Sequence, residues 1–143
     1  MIILTWVNLG IYRSRIGGYL PPMKAERHLA PLSDPTILAA YRNALADWRF
    51  SDFIRWTEKA LTDLRRELEG WSIKEVARVM HEHVENGGEI DAVVETRPEW
   101  SEHRYHYDLR INVDGKPIYI ETRLFFTNAD DPDDPWIHVV SLH

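Results

Sequence analysis

Four short segments in the last third of the chain alternate apolar and polar residues with no helical stretch between them: 90–97, 102–113, 117–126 and 135–143. Strict alternation marks a half-buried strand, and connections this short force neighbouring strands to run antiparallel. Side chains on a strand point alternately to its two faces. Tyr105, Tyr107, Leu109, Ile111 and Val113 therefore share one face with Ile118, Ile120, Leu124 and Phe126. The other face carries Arg104, His106, Asp108 and Arg110 beside Tyr119, Glu121 and Arg123. Glu95 and Arg97 join that polar face if Ile90, Ala92 and Val94 are buried. The last segment is ambiguous, because Ile137/Val139 and Trp136/Val140/Leu142 are both apolar sets. Either His138 or His143 then faces the polar side.

Three helices are expected between residues 33 and 86. Ser33-Asp34-Pro35 supplies a cap with Pro in the first turn, where its missing N–H costs nothing, and Ile37, Tyr41, Ala44, Leu45 and Trp48 form the apolar stripe. Ser51 is the expected cap of a second helix, with Phe53, Thr57, Ala60, Leu61, Leu64 and Leu68 at helical spacing as far as Gly70. The opposite side of that helix, including Asp63, reads as solvated. Ser72-Ile-Lys-Glu75 is a capping box opening a third helix, and Asn86-Gly87-Gly88 ends it.

The expected fold class is thus α+β, with three N-terminal helices packed on one face of a four-stranded antiparallel meander sheet. Residues 33–143 form one domain in this reading, and residues 1–32 an irregular lead-in broken by Gly17-Gly18, Pro21-Pro22 and Pro31. Residues 2–7 are either an edge strand or part of an upstream extension, since Met23 offers a start of its own.

Composition narrows the function classes. The 143 residues contain no cysteine, which removes thiolate catalysis, disulfides and zinc ribbons and makes cytoplasm the expected location. The apolar start of the chain is too short to span a bilayer. Charge is uneven: residues 87–143 hold 5 Lys/Arg against 12 Asp/Glu, partly in the run Asp130-Asp131-Pro132-Asp133-Asp134, read as a solvated loop. Phosphate neutralisation by Lys/Arg drives nucleic-acid binding, so this half is not built for a large nucleic-acid footprint.

The polar sheet face nevertheless carries the side chains that metal-free phosphodiester cleavage needs. Glu121 or His106 would serve as base and His143 or His138 as acid, with Arg104 and Arg123 as charge stabilisers and Tyr119 on phosphate or base. The bland alternative is cross-strand Arg–carboxylate pairing, worth ~0.2–1 kcal/mol per exposed pair. Other motifs give less. His81-Glu82-His83 suits a helix C-terminus better than a chelate. Arg78 and His83 match an Arg-x4-His nuclease spacing, but in a family that is all-helical. Alternation sets His103 opposite His106 and Asp108. No phosphate-binding glycine loop or nucleophile elbow is present.

From residue 75 onward the chain resembles the small bacterial toxins of the RelE-like and MqsR-like groups. The resemblance rests on the helix ending at Asn86-Gly87-Gly88, on Arg104-Tyr-His-Tyr-Asp-Leu-Arg110 and the turn Asp114-Gly115-Lys116-Pro117, and on Ile118-Tyr-Ile-Glu-Thr122 and Ile137-His-Val-Val-Ser-Leu-His143. Tyr119 and His143 stand where MqsR-like toxins carry a Tyr and a basic residue after the last strand; that basic residue is Lys in the family. The resemblance implies an endoribonuclease toxin of a bacterial toxin–antitoxin pair, acting on RNA without metal or cofactor and restrained by a cognate antitoxin. The acidic sheet half supports a different class, a non-catalytic interaction protein such as an immunity protein, antitoxin or phage inhibitor that covers a basic partner.

Overall fold

A computed structural model describes residues 29–127 and 134–143. Expectations for residues 1–28 and for the acidic loop at 128–133 lie outside the described residues. Local signals set the helix ends. Asp34 caps α1 (Pro35–Ala46), accepting the Thr36 N–H at 2.9 Å, with Pro35 in the first turn. Ser72 and Glu75 close a reciprocal capping box on α3 (Ile73–Glu85), an arrangement in which the N-cap side chain alone contributes about 1 kcal/mol. At the end of α3 the His83 Nε2 lies 2.9 Å from the Glu89 carbonyl, and its ring packs so closely on Gly88 that any Cβ there would collide with it. The His83 imidazole therefore shapes a helix end.

The sheet corrects the expected architecture. It has six strands, not four, in the order β1-β3-β4-β5-β6-β2, and it is mixed rather than antiparallel. β1 (Leu29–Pro31) pairs antiparallel with β3 (Ile90–Val94), so a strand precedes the first helix and the end of the expected lead-in is ordered sheet edge. β4 (Tyr105–Val113), β5 (Lys116–Phe126) and β6 (Pro135–Leu142) form the meander. β2 (Ile54–Trp56) runs parallel to β6 on the far edge. Residues 54–56 were expected inside a helix starting after Ser51. That helix, α2 (Glu58–Glu67), begins later, capped by Thr57. The sheet overrides helical spacing because Phe53 O accepts from the Ile137 N–H at 2.8 Å and the Thr57 N–H donates to Val139 O at 3.1 Å. These are long-range bonds, and a local apolar period does not contain them.

The helices cover one face. Tyr41, Leu45, Leu64, Val76 and Met80 from the helices join Leu109, Ile118, Ile120, Ile137, Val139 and Leu142 in the core. Tyr41 donates its hydroxyl to Thr122 Oγ1 at 2.7 Å, and Thr122 donates onward to the Tyr107 carbonyl at 2.6 Å. The one hydroxyl pair on the apolar face is thereby satisfied, as burial requires.

A β-bulge settles the ambiguous last strand. Thr122 pairs with Val139 but Glu121 pairs with Ser141, so Val140 is an extra residue. The insertion reverses the parity of the strand. Trp136 and His138 stand on the polar face before it, and Ser141 and His143 stand on the same face after it. Both histidines, rather than one, face the polar side. α2 completes the edge of β6 where β2 stops. The Thr57 hydroxyl donates to Val140 O at 2.9 Å, and the buried Asp63 accepts the Leu142 N–H at 3.0 Å. Burial alone would raise the Asp63 pKa, but bonds from Lys59, the Leu142 N–H and Arg66 outweigh it and hold it below the usual carboxylate range.

Asp63 is thus a buttress of the sheet and not part of a solvated helix face. Asp63→Ala strips the Leu142 N–H of its partner, and an orphaned buried donor costs about 1–3 kcal/mol. Urea denaturation should show that loss, whereas Glu69→Ala on the exposed end of the same segment should change stability by less than about 0.5 kcal/mol.

Candidate functional site

The polar sheet face is largely closed. Alternation delivers His106, Asp108, Glu121 and Arg123 to it, but Arg123 is 0% exposed, Glu121 8% and His106 9%. The cover comes from residues 95–104, which cross this face through a 3-10 turn at Pro98–Trp100. The Trp100 ring centroid lies 4.8 Å from the Arg123 guanidinium carbon. His103 meets Phe125 edge-on at 4.5 Å, and His138 lies 6.3 Å from Trp100 and 5.9 Å from Phe125. Phe125 in turn stacks on Trp136 at 4.3 Å. A small aromatic layer therefore seals the β5–β6 end of the face, and we refer to residues 95–104 as the flap.

Under the flap sits a compensated ion cluster. Arg123 bonds Glu121 Oε2 at 2.8 Å and also contacts the Glu95 carboxylate. Arg97, from the flap, contacts Glu121 as well and bonds Glu95 at 3.2 Å. Two guanidinium groups and two carboxylates thus balance. Ser141 donates to the remaining Glu121 oxygen at 3.0 Å. Burial works against ionisation of Glu121, yet the bonds from Arg97 and Arg123 prevail and hold its carboxyl down at about 2. Glu95 is lowered in the same way, its burial outweighed by Arg97 and Arg123.

Two neighbouring pairs extend the row. His106 Nδ1 lies 2.8 Å from Asp108 Oδ1, both buried. Arg110 grips the buried Asp91 with two bonds, at 2.8 and 3.1 Å. Asp91 faces Asp108, and Asp108 faces Glu121, across adjacent strands. Glu95, His106 and Glu121 each bring one ligand-type atom within 4.8 Å of the others. Both carboxylates there already neutralise an Arg, so a cation entering would have to displace Arg123, and the donor set does not fit a metal centre.

The expected site residues therefore separate. His106, Glu121 and Arg123 come together but inside the molecule. Arg104 is exposed at the start of β4, its guanidinium 5.9 Å from the Tyr105 ring. Tyr119 and His143 lie at the end of the face beyond the flap, their rings stacked at 5.4 Å and their backbones bonded to each other. Arg110 is the cross-strand neighbour of Tyr119. For acid–base chemistry this arrangement is poor, because a carboxylate with a pKa about 2 is a weak proton acceptor at neutral pH and Arg123 is walled off. Sequence reasoning placed Glu95 and Arg97 on this face but did not foresee Trp100 closing it. A tryptophan in the loop after a polar strand was the available signal. Comparison with family models, curated proteins and solved structures gives no match.

Removing one partner of a buried pair leaves an uncompensated charge, costing about 3–5 kcal/mol. Arg123→Met should lose stability on that scale in chemical denaturation. The pH sign follows from Glu121, whose folded pKa lies below its ordinary value of 4.5. Its contribution is complete above that ordinary value and is lost as pH falls towards about 2. Urea midpoints measured across this acid range should fall steeply in the wild-type protein and more gently in Glu121→Gln.

Proposed function

We propose that this chain is a non-catalytic binding protein whose acidic surface covers a basic protein partner. The observation that supports it most is the pairing of four of the sheet half's 5 Lys/Arg with acids of the fold itself. Arg97 and Arg123 are committed to Glu95 and Glu121, Arg110 to Asp91 and Lys116 to Glu67. Glu99 and Glu102 on the flap and Asp114 in the β4–β5 turn are exposed and form no salt bridge among the described residues, and the sequence adds Asp130, Asp131, Asp133 and Asp134. Such a surface steers a basic partner and repels nucleic acid. Cytoplasmic location belongs to this proposal and is supported by the cysteine-free sequence. No helix among the described residues is long and apolar enough to cross a membrane.

A second reading, the endoribonuclease toxin with an antitoxin partner and an RNA substrate, is supported by one observation. Tyr119 and His143 form a stacked pair at the end of the face that the flap does not reach, beside Arg110. Such a platform suits a nucleobase next to a phosphate-binding cation. In this reading the reaction runs at that end, with His143 as proton donor, and the Glu121–Arg123 cluster only supports it.

Induced expression and an RNA-cleavage assay in EDTA separate the two. The binding reading expects unimpaired growth, intact RNA, and salt-sensitive association with a basic partner protein, weakened at least several-fold by Glu99→Lys/Glu102→Lys. Growth arrest and EDTA-resistant cleavage, reduced ~10²–10⁴-fold by His143→Ala, would transfer the assignment to the toxin.

A further inference from the structure

The flap is held shut by a seam that contains two imidazoles. His103 comes from the flap and packs on Phe125 of β5. His138 comes from β6 and packs under Trp100 and beside Phe125 and Trp136. Both rings are partly buried against aromatic surface, where a neutral imidazole packs well and an imidazolium is poorly hydrated.

The described elements that meet the seam contribute charges of both signs. β5 contributes Arg123 and Glu121, and the end of β3 contributes Glu95. The flap adds Arg97, Glu99, Glu102 and Arg104, β4 adds His106, and β2 adds Arg55, whose guanidinium lies 3.9 Å from the Trp136 ring centroid and which pairs in register with His138. Burial is the leading effect at both imidazoles. Burial first, then Arg123, lowers the His103 pKa, with Glu102 and Glu95 opposing; burial, then Arg55, Arg123 and His103, lowers that of His138. Glu95 and Glu121 are both lowered from 4.5 and so stay ionised when the histidines titrate, and the Arg97 anchor persists.

We propose that residues 95–104 are a pH-responsive flap, closed by neutral His103 and His138 and loosened by their protonation, which lifts its Trp100–His103 part off Arg123 while Arg97 stays anchored on Glu121 and Glu95. Protonation places two new cations in a seam that already contains Arg123 and Arg55, and among the described residues no carboxylate is bonded to either ring. The sign follows from linkage. Folded pKa values below the ordinary 6.5 mean that the open state binds more protons, so closure is strongest above that pH and weakens below it. The proposal is independent of whether the surface binds protein or RNA, since it concerns only which residues the flap hides.

Amide hydrogen exchange of the full chain, expressed as protection factors from pH 8 to pH 5, tests it. Protection across residues 98–104 should fall by up to about tenfold per pH unit for each proton taken up, while α3 and the centre of β5 remain protected. In the double variant His103→Phe/His138→Phe, which keeps the ring contacts but cannot titrate, the fall should vanish. Flat protection in the wild-type protein, or an undiminished fall in the double variant, would overturn the proposal. Should the double variant not fold, NMR titration of the two wild-type imidazoles decides: values below 6.5 are expected, and values at or above it refute the mechanism.

Discussion

Arg123 is the constraint around which the second face of this sheet is organised. A guanidinium cannot shed its charge, so a fully buried one requires carboxylates held at bonding distance. Glu121 provides one from the same strand and Glu95 provides the other from the strand that feeds the flap. Once Glu95 is fixed, the chain leaving it must cross the polar face. Arg97 then supplies the second positive charge and Trp100 covers the guanidinium. A sheet that would otherwise have one wet face acquires a thin polar layer between strands and flap. Breaking such a pair is far more costly than its net worth, because the partner left behind is still buried.

That layer changes how the remaining residues are read. Arg, His, Glu and Tyr on one face resemble the toolkit of a ribonuclease. In three dimensions most of them answer each other: Arg110 with Asp91, His106 with Asp108, and Arg123 with Glu121 and Glu95. Tyr119 and His143 stack on each other at the end of the face beyond the flap. The excess acidity of the sheet half then stays on the outside, on the flap and in the turns, where it governs which partners approach.

The helix side depends on a different device. β6 carries one residue too many, and the bulge at Val140 switches the face of everything after it. Backbone groups along that edge find α2 side chains instead of a strand, the Thr57 hydroxyl on one carbonyl and the Asp63 carboxylate on one N–H. α2 is therefore positioned by polar bonds as well as by Ala60 and Leu64 in the core. A similar economy appears at Thr57 itself, which caps the helix and bonds the sheet.

Much of the local structure was legible in the chain. Asp34-Pro35 and the Ser72–Glu75 box set helix starts through neighbouring backbone N–H groups, so tertiary context could not move them. Alternation across 105–113 and 118–126 assigned the core face, because a half-buried strand has only one way to bury Leu109 and Ile120 together. What needed the folded molecule was every decision made by distant partners. Residues 54–56 became a strand because β6 offered an unpaired edge, and residues 29–31 did so beside β3. Both His138 and His143 reached one face because a single bulge intervened. Electrostatics followed the same rule. Composition determined that the chain is acidic and cysteine-free, but whether Glu121 and Arg123 were catalysts in solvent or an ion pair beneath Trp100 depended on where residues 95–104 lay. Pair energies and pKa values are set by burial and distance, and neither is written in residue order.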